Sequence, residues 1–364
     1  MPSQRRHAHG FSLIEVMIAL ALGVVVTAGI VMLFVGNSQT YSLLTGQARL
    51  QENARFAMDF VTRSARAAGY FGCDPDPDKV YNSLNGNWDA GQLFEFAISR
   101  PIEAFHGATN GNAVGDWVPS LTPLPRTSGG TTVNAFQNGN GIDISRLRPR
   151  TDVLVLRHVE VPGAPIAQLV QPNAAPVVAV PADGLQFAAN DFVAINNCEQ
   201  AAVFQVTGIA VAGANATLAR GTGAGIYQNS PAKTLSDQGV PYGEATNPQG
   251  SAVGRVLTDI YFVARGAGTN NRGQTPWSLW RKTSEDAPVE LVEGVEDLQV
   301  SFGIDTTPAN GAAAANRYVT FDQVGVNAIR ALRVTLTVTS IDVVTDNDEP
   351  LRRTFSQTIS FRNG

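Results

Sequence analysis

The chain has 364 residues, 44% of them hydrophobic, and a formal net charge of −5. That length and apolar content supply one large or two moderate cores. The negative balance argues against nucleic acid as a bulk electrostatic partner.

The first element is announced by Arg5 and Arg6, with no acidic residue before Glu15. From Val16 to Val35 run twenty residues whose one polar side chain is Thr27. Twenty helical residues cover about 30 Å, the thickness of bilayer hydrocarbon. The two arginines hold the N-terminus on the cytoplasmic side and send everything beyond Val35 across the membrane. Beyond it the sequence reads GNSQTYSLLTGQARLQENARF, with no small-residue cleavage site, so the segment reads as a signal anchor rather than a discarded signal peptide. Glu15 is the anomaly, because a carboxylate at a bilayer centre costs about 2.5–3.5 kcal/mol on insertion scales. By position it is either an interfacial carboxylate reaching the headgroups or an acid that needs a partner.

The string GFSLIEVMIALAL, residues 10–22, resembles the type IV prepilin signature. In that family a glycine ends a basic leader, a phenylalanine follows, and a glutamate stands fifth in the mature chain. The resemblance implies that a prepilin peptidase cuts between Gly10 and Phe11 on the cytoplasmic side and N-methylates Phe11. It implies that Glu15 is an assembly residue, satisfied in a low-dielectric helix bundle by the amine of a neighbouring subunit. Losing Arg5 and Arg6 with the leader takes the charge from −5 to −7, before the new amine is counted.

Helical patterning continues past the anchor. Arg49, Glu52, Arg55, Asp59, Arg63 and Arg66 recur at spacings of three or four on one face, while Leu50, Ala54, Ala57, Val61 and Ala65 form an apolar face flanked by Phe56 and Phe60. Gly69 is the predicted stop. A helix from Leu13 to Ala68 spans about 85 Å, half for the bilayer and half to pack on a globular domain.

After Gly69 the texture turns to short β-type runs. The clearest predicted strands are 152–160, 201–211, 255–265, 297–305, 329–344 and 352–362, several alternating apolar with polar as in Val334, Leu336 and Val338 against Arg333, Thr335 and Thr337. Segments 104–141, 221–253 and 305–317 read as long binding loops or mobile excursions. The predicted organisation is a leader (1–10), a membrane-spanning assembly helix (11–36), the extracytoplasmic half of the helix (37–69) and a β-rich globular domain (70–364). The fold class is α+β, a long N-terminal helix packed on a mainly antiparallel sheet.

Two cysteines, Cys73 and Cys198, most simply form one disulfide in an oxidising compartment; two separate buried thiols are the alternative. No HExxH, GxSxG, P-loop or paired CxxC is present, so no catalytic residue and no cofactor is assigned. Asp74, Asp76 and Asp78 alternate like the start of a calcium loop, but Lys79 stands where glycine is required and Asn85 where glutamate is, so neither they nor DNDE (346–349) is assigned a metal. Trp277 and Trp280 are of a kind that stacks on sugars, yet two tryptophans flanking a strand more often pack a core. The basic strings 145–150 and 351–353 read as solvated faces.

The stretch LQENARFAMDFVTRSARAAGYFGC looks like the helix end of the PilW type of minor pilin, and NNCEQAAVFQVTG, LVEGVEDLQVSFGID, IRALRVTLTVTS and RTFSQTISFRN are similar to the same family. That resemblance implies a non-enzymatic subunit that helps initiate the type IV pilus and sits in its tip complex. It implies as partners the prepilin peptidase, the other minor pilins, the major pilin, the inner-membrane assembly platform and often a large tip adhesin. It also implies a single pass in the inner membrane before incorporation. A type II secretion pseudopilin shares the leader and glutamate but is usually shorter. A membrane-tethered enzyme or carbohydrate-binding module would show no dependence on Glu15.

Overall fold

The computed structural model describes residues 12–72, 79–86, 94–98, 100–107, 117–118, 126–128, 131–133, 142–223, 227–236, 239–243, 250–284, 286–307, 314–325, 328–344 and 349–361. A single helix, α1 (Leu13–Ala67), opens the chain and is 55 residues long, about 83 Å at 1.5 Å per residue. Its predicted apolar face is the buried one: Leu50, Ala54, Ala57, Val61 and Ala65 are all inaccessible. Ala68 leaves helical geometry, and Gly69 takes a φ of +78°, which a side chain would resist. The Gly69 N–H then donates to the Arg157 carbonyl at 3.0 Å, fastening the chain reversal to the sheet.

The strands in chain order are β1 (Val80–Asn82), β2 (Ile102–Gly107), β3 (Trp117–Val118), β4 (Arg126–Ser128), β5 (Thr131–Val133), β6 (Val153–Val159), β7 (Ala164–Pro165), β8 (Val177–Ala179), β9 (Phe192–Asn196), β10 (Ala201–Gln205), β11 (Gly208–Ala212) and β12 (Asn215–Ala219). They continue with β13 (Ala252–Arg265), β14 (Trp277–Thr283), β15 (Val289–Glu293), β16 (Val295–Asp305), β17 (Arg317–Val319), β18 (Ala328–Thr339) and β19 (Arg352–Ser360).

The largest sheet is organised by β13, which serves two neighbourhoods. Its first residues pair with β9 and β7, and its later residues with β6 and β14. Pairing extends to β10 and β1 on one side, to β2 and β3 on another, and to β15 beyond β14. A second, four-stranded sheet has the order β17-β16-β18-β19, and a third joins β11, β12 and β8. Among the described pairings only β1 with β10 is parallel. The α+β class with a mainly antiparallel sheet is therefore what the chain adopts.

The second half of α1 lies on β18, β19, β16, β15 and β6. Beneath it Val334, Leu336 and Val338 of β18 interlock with Leu298, Val300 and Phe302 of β16, while their alternating partners face outward. On β13, Tyr261 and Val263 join this core, whereas Ile260, Phe262 and Ala264 face a separate one with Trp117, Val153 and Val155. Burial on both faces explains why the stretch 260–264 is uniformly apolar.

Three expectations are corrected. The run 201–211 is two strands in different sheets, because the Asn229 side chain replaces a strand partner at Gln205, accepting from its N–H at 2.7 Å and donating to its carbonyl at 2.7 Å. The run 329–344 stops at Thr339, where Ser340 turns, donating its N–H to the Leu351 carbonyl and its hydroxyl to the Asp342 carbonyl. In 221–253 the described residues are no excursion: Tyr227, Leu235 and Tyr242 are buried, and Tyr242 exchanges backbone hydrogen bonds with Val170.

Candidate assembly site on the helix

From Leu13 to Leu44 every large apolar side chain of α1 is exposed, including Phe34 and Tyr41. The helix is long and apolar enough to cross a membrane over this part, and none of that window touches the rest of the chain. Two of its hydroxyls are satisfied within the helix. The Thr27 hydroxyl donates to the Gly23 carbonyl at 2.8 Å and the Thr40 hydroxyl to the Gly36 carbonyl at 2.9 Å, which removes two unpaired donors from the apolar surface.

Glu15 lies in the first turn, where a carboxylate suits the positive end of the helix dipole. Its Oε2 accepts the Ser12 N–H at 3.0 Å, so one oxygen caps the helix that carries it. No described residue donates to Oε1. Gly10 and Phe11 lie outside the described residues.

The helix is joined to the sheet by a buried polar knot. The Ser64 hydroxyl donates to Asp259 Oδ2 at 2.6 Å, and the single proton of the Tyr261 hydroxyl serves two acceptors, Ser64 Oγ at 2.7 Å and the Phe60 carbonyl at 3.1 Å. Thr283 donates to Asp259 Oδ1 at 2.9 Å. Burial, reinforced by the Asp259 charge, pushes the Tyr261 phenol up to about 12. Burial also holds the His158 imidazole below its usual value, although Asp259 and Glu160 pull the other way. Farther down the helix, Asn53 donates to the Glu293 carbonyl at 3.0 Å.

Two inaccessible ion pairs sit deeper, and sequence reading missed both. Arg157 meets Glu103 at 2.6 Å and donates to the Phe94 and Arg100 carbonyls, while Arg100 reaches the same carboxylate at 3.1 Å. Lys282 meets Glu95 at 2.6 Å, whose other oxygen accepts from the Tyr227 hydroxyl at 2.9 Å. Both carboxylates are consumed by neighbours, as a structural role requires. His106 faces Asp152 at 2.9 Å, a pairing that suggests catalysis, but its Nε2 accepts the Phe321 N–H at 3.3 Å, so both ring nitrogens are occupied.

The other sequence candidates resolve as follows. The Trp277 ring is covered by the Arg265 guanidinium 3.8 Å from its centroid, and Arg146 lies 5.6 Å from that of Trp280, so arginine occupies the faces a sugar would need. The basic strings are also engaged, since Arg148 and Arg352 both bind Glu296. Cys198 stands in the turn between β9 and β10. Cys73 lies outside the described residues, as do Asp74, Asp76, Asp78 and residues 346–348. Among the described residues no three His, Cys, Asp or Glu side chains come together as metal ligands.

Residues 260–363 match the family model described as Type IV Pilus-assembly protein W, and residues 5–31 match the prokaryotic N-terminal methylation motif. No curated protein and no solved structure gives a significant match. The first match covers β14 to β19 and the last six residues of β13, and so includes β15, β16, β18 and β19 beneath the helix; the second runs from Arg5 into the exposed apolar half of α1.

Proposed function

We propose that this chain is a PilW-type, prepilin-like pilin of the type IV pilus, a minor subunit that helps initiate assembly and forms part of the tip complex; the two family-model matches support the reading. The observation that carries the reading is the division of α1. One half is a bare apolar rod with a single carboxylate, and the other half is sunk into a sheet. A tether needs only hydrophobic length; here the Ser12 N–H takes one oxygen of the carboxylate near the end of the rod, and the other is left for a cationic partner. The leader is cut between Gly10 and Phe11, and the methylated amine of one subunit meets the free Glu15 Oε1 of the next.

On this reading the N-terminus is cytoplasmic, the sheet domain is periplasmic and the mature protein leaves the inner membrane for the pilus tip. Its partners are the prepilin peptidase, the other minor pilins, the major pilin, the inner-membrane platform and a tip adhesin. Its part is structural, as in its family, and no residue is given a catalytic role.

A Cys73–Cys198 disulfide belongs to the same proposal. Support comes from Gly72, whose Cα approaches the β9–β10 turn so closely that an added Cβ would lie 3.0 Å from both the Asn196 Cβ and the Asn197 carbonyl oxygen. The residues next to the two cysteines in sequence are thus in contact.

The deciding experiment replaces Glu15 with alanine in cells lacking the native copy. Removing a charge eases insertion but removes the amine's partner, so membrane levels should hold while pilus number and co-purified minor pilins fall. Unchanged piliation at normal membrane levels refutes the assembly role of Glu15.

A further inference from the structure

The four-stranded sheet ends on β19, and no described residue pairs with the outer side of that strand. β19 runs without a proline or any break in its register against β18, and its charges, Arg352 and Arg353, stand together at its first two positions. Natural proteins guard long exposed edges with prolines, bulges or charges, because an unguarded edge recruits another strand. From Thr354 to Ser360 the edge carries none of these, and no described residue pairs with it.

Below the edge lies a groove of about 730 Å³ between β19 and the second half of α1. Phe355 and Gln357 face it from the strand, and Arg55, Phe56, Asp59 and Arg66 from the helix. The Thr62 hydroxyl donates to the Gln357 side chain at 3.2 Å, so β19 already leans its inward side chains on the helix. The next strand position, about 4.8 Å farther out, would place its own inward side chains over Phe56. Phe56 is 51% exposed, and past Tyr41 it is the one exposed aromatic among the described residues. The helix thus presents an apolar group at the place a further strand would cover.

Charge defines the occupant. Asp59 is taken by Arg63 at 2.7 Å, whereas Arg55, Arg66 and Arg353 are exposed and form no ion pair with a described residue. On the outer face, Thr354, Ser356 and Thr358 continue the hydroxyl rows of β18 through contacts such as Thr335 to Ser356 at 3.1 Å.

We infer that this groove receives one extended, acidic, amphipathic strand from another pilus subunit, hydrogen-bonded to β19. Its inward positions carry an apolar residue over Phe56 and carboxylates against Arg55 and Arg66, and its outward positions carry threonine-like polar residues. Main-chain pairing supplies affinity, and the alternate side chains supply specificity. That the strand belongs to a pilus subunit rests on the function proposed above; the strand addition does not.

The test uses the full chain in detergent micelles and a synthetic peptide as long as β19, alternating threonine and valine with glutamates at both ends. Binding is read by fluorescence anisotropy. The acidic peptide should bind, and the same peptide N-methylated on the residues that face β19 should not. A version with lysines for the glutamates should bind on the order of tenfold more weakly. Arg55→Glu with Arg66→Glu, both on the solvent side of the helix, should invert that preference while leaving the tryptophan emission unchanged. Failure of the acidic peptide to bind overturns the site, and indifference to N-methylation overturns the strand pairing. Concentration-dependent self-association that cross-links Ser356→Cys to its own copy would assign the edge to a second copy and overturn the heterologous partner. None of these arms involves Glu15 or piliation, so failure here and failure of the assembly reading are separately visible.

Discussion

Replacing Tyr261 with phenylalanine tests the knot that joins helix to sheet, because its effect should depend on pH in a direction fixed by the structure. At neutral pH the variant loses the one phenol proton, which serves Ser64 Oγ at 2.7 Å and the Phe60 carbonyl at 3.1 Å. Leaving buried acceptors short of that donor costs about 1–3 kcal/mol, so the expected destabilisation is about 2 kcal/mol. The wild-type phenol ionises at about 12 when folded and at about 10 when unfolded, so its contribution is complete below pH 10 and declines as pH rises through 12. Two pKa units correspond to about 2.7 kcal/mol in full and to about 2 kcal/mol by about pH 11.5. The stability gap between wild type and variant should therefore be about 2 kcal/mol at about pH 8 and close to zero at about pH 11.5. Urea unfolding of the full chain in detergent, followed by tryptophan fluorescence at both pH values, reads this directly. Other tyrosines and lysines titrate in both proteins and cancel in the difference. A gap of equal size at the two pH values refutes the assignment of Tyr261 as a buried, hydrogen-bonded phenol.

Arg157→Met leaves the Glu103 carboxylate and two carbonyls short of a buried donor and should cost about 3–5 kcal/mol, part of it recovered by adding Glu103→Leu. A loss below about 1 kcal/mol in chemical denaturation would show the pair to be dispensable. Intact-mass analysis of protein from cells with a working prepilin peptidase should show residues 1–10 gone and one methyl group on Phe11; a chain still beginning at Met1 contradicts the prepilin reading. A Cys73–Cys198 bridge closes a loop of 125 positions (198 − 73), which in the chain-entropy treatment contributes about 5 kcal/mol at 25 °C. Cys198→Ser should then unfold at clearly lower denaturant, and two labelled thiols in the denatured, natively exported protein would exclude the bridge.

The elements readable from sequence are those with an unbroken period. Leu50, Ala54, Ala57, Val61 and Ala65 repeat at helical spacing and are the buried face of α1, and Val334, Leu336 and Val338 alternate and face the core from β18. β9 was missed because Phe192–Asn196 is buried on both faces and shows no alternation, and β14 because its tryptophans, arginine and lysine mask the pattern. The burial of Lys282 and Arg157 has no local signal, since nothing near either indicates that Glu95 or Glu103 will arrive from a distant segment. The break after Gln205 depends on the side chain of Asn229, a tertiary event with no signature in the strand itself. Of the assembly site, the anchor and Glu15 were legible, but the Ser12 contact that occupies half of the carboxylate was not.

The packing of α1 also sets an order of events. The helix is made first, yet it rests on β16, β18 and β19, and the Thr62–Gln357 contact joins residues 295 positions apart. Loop closure over such a span is entropically expensive and slow to nucleate. As the chain emerges, the alanine-rich face of the upper helix gains its cover strand by strand, from β6 through β15, β16 and β18, and the last of it only with β19. A chain lacking β19 should keep most of that cover but lose the Thr62–Gln357 contact and one wall of the groove beside the helix. On the function proposed above, such a chain would present a less firmly held rod to its neighbours.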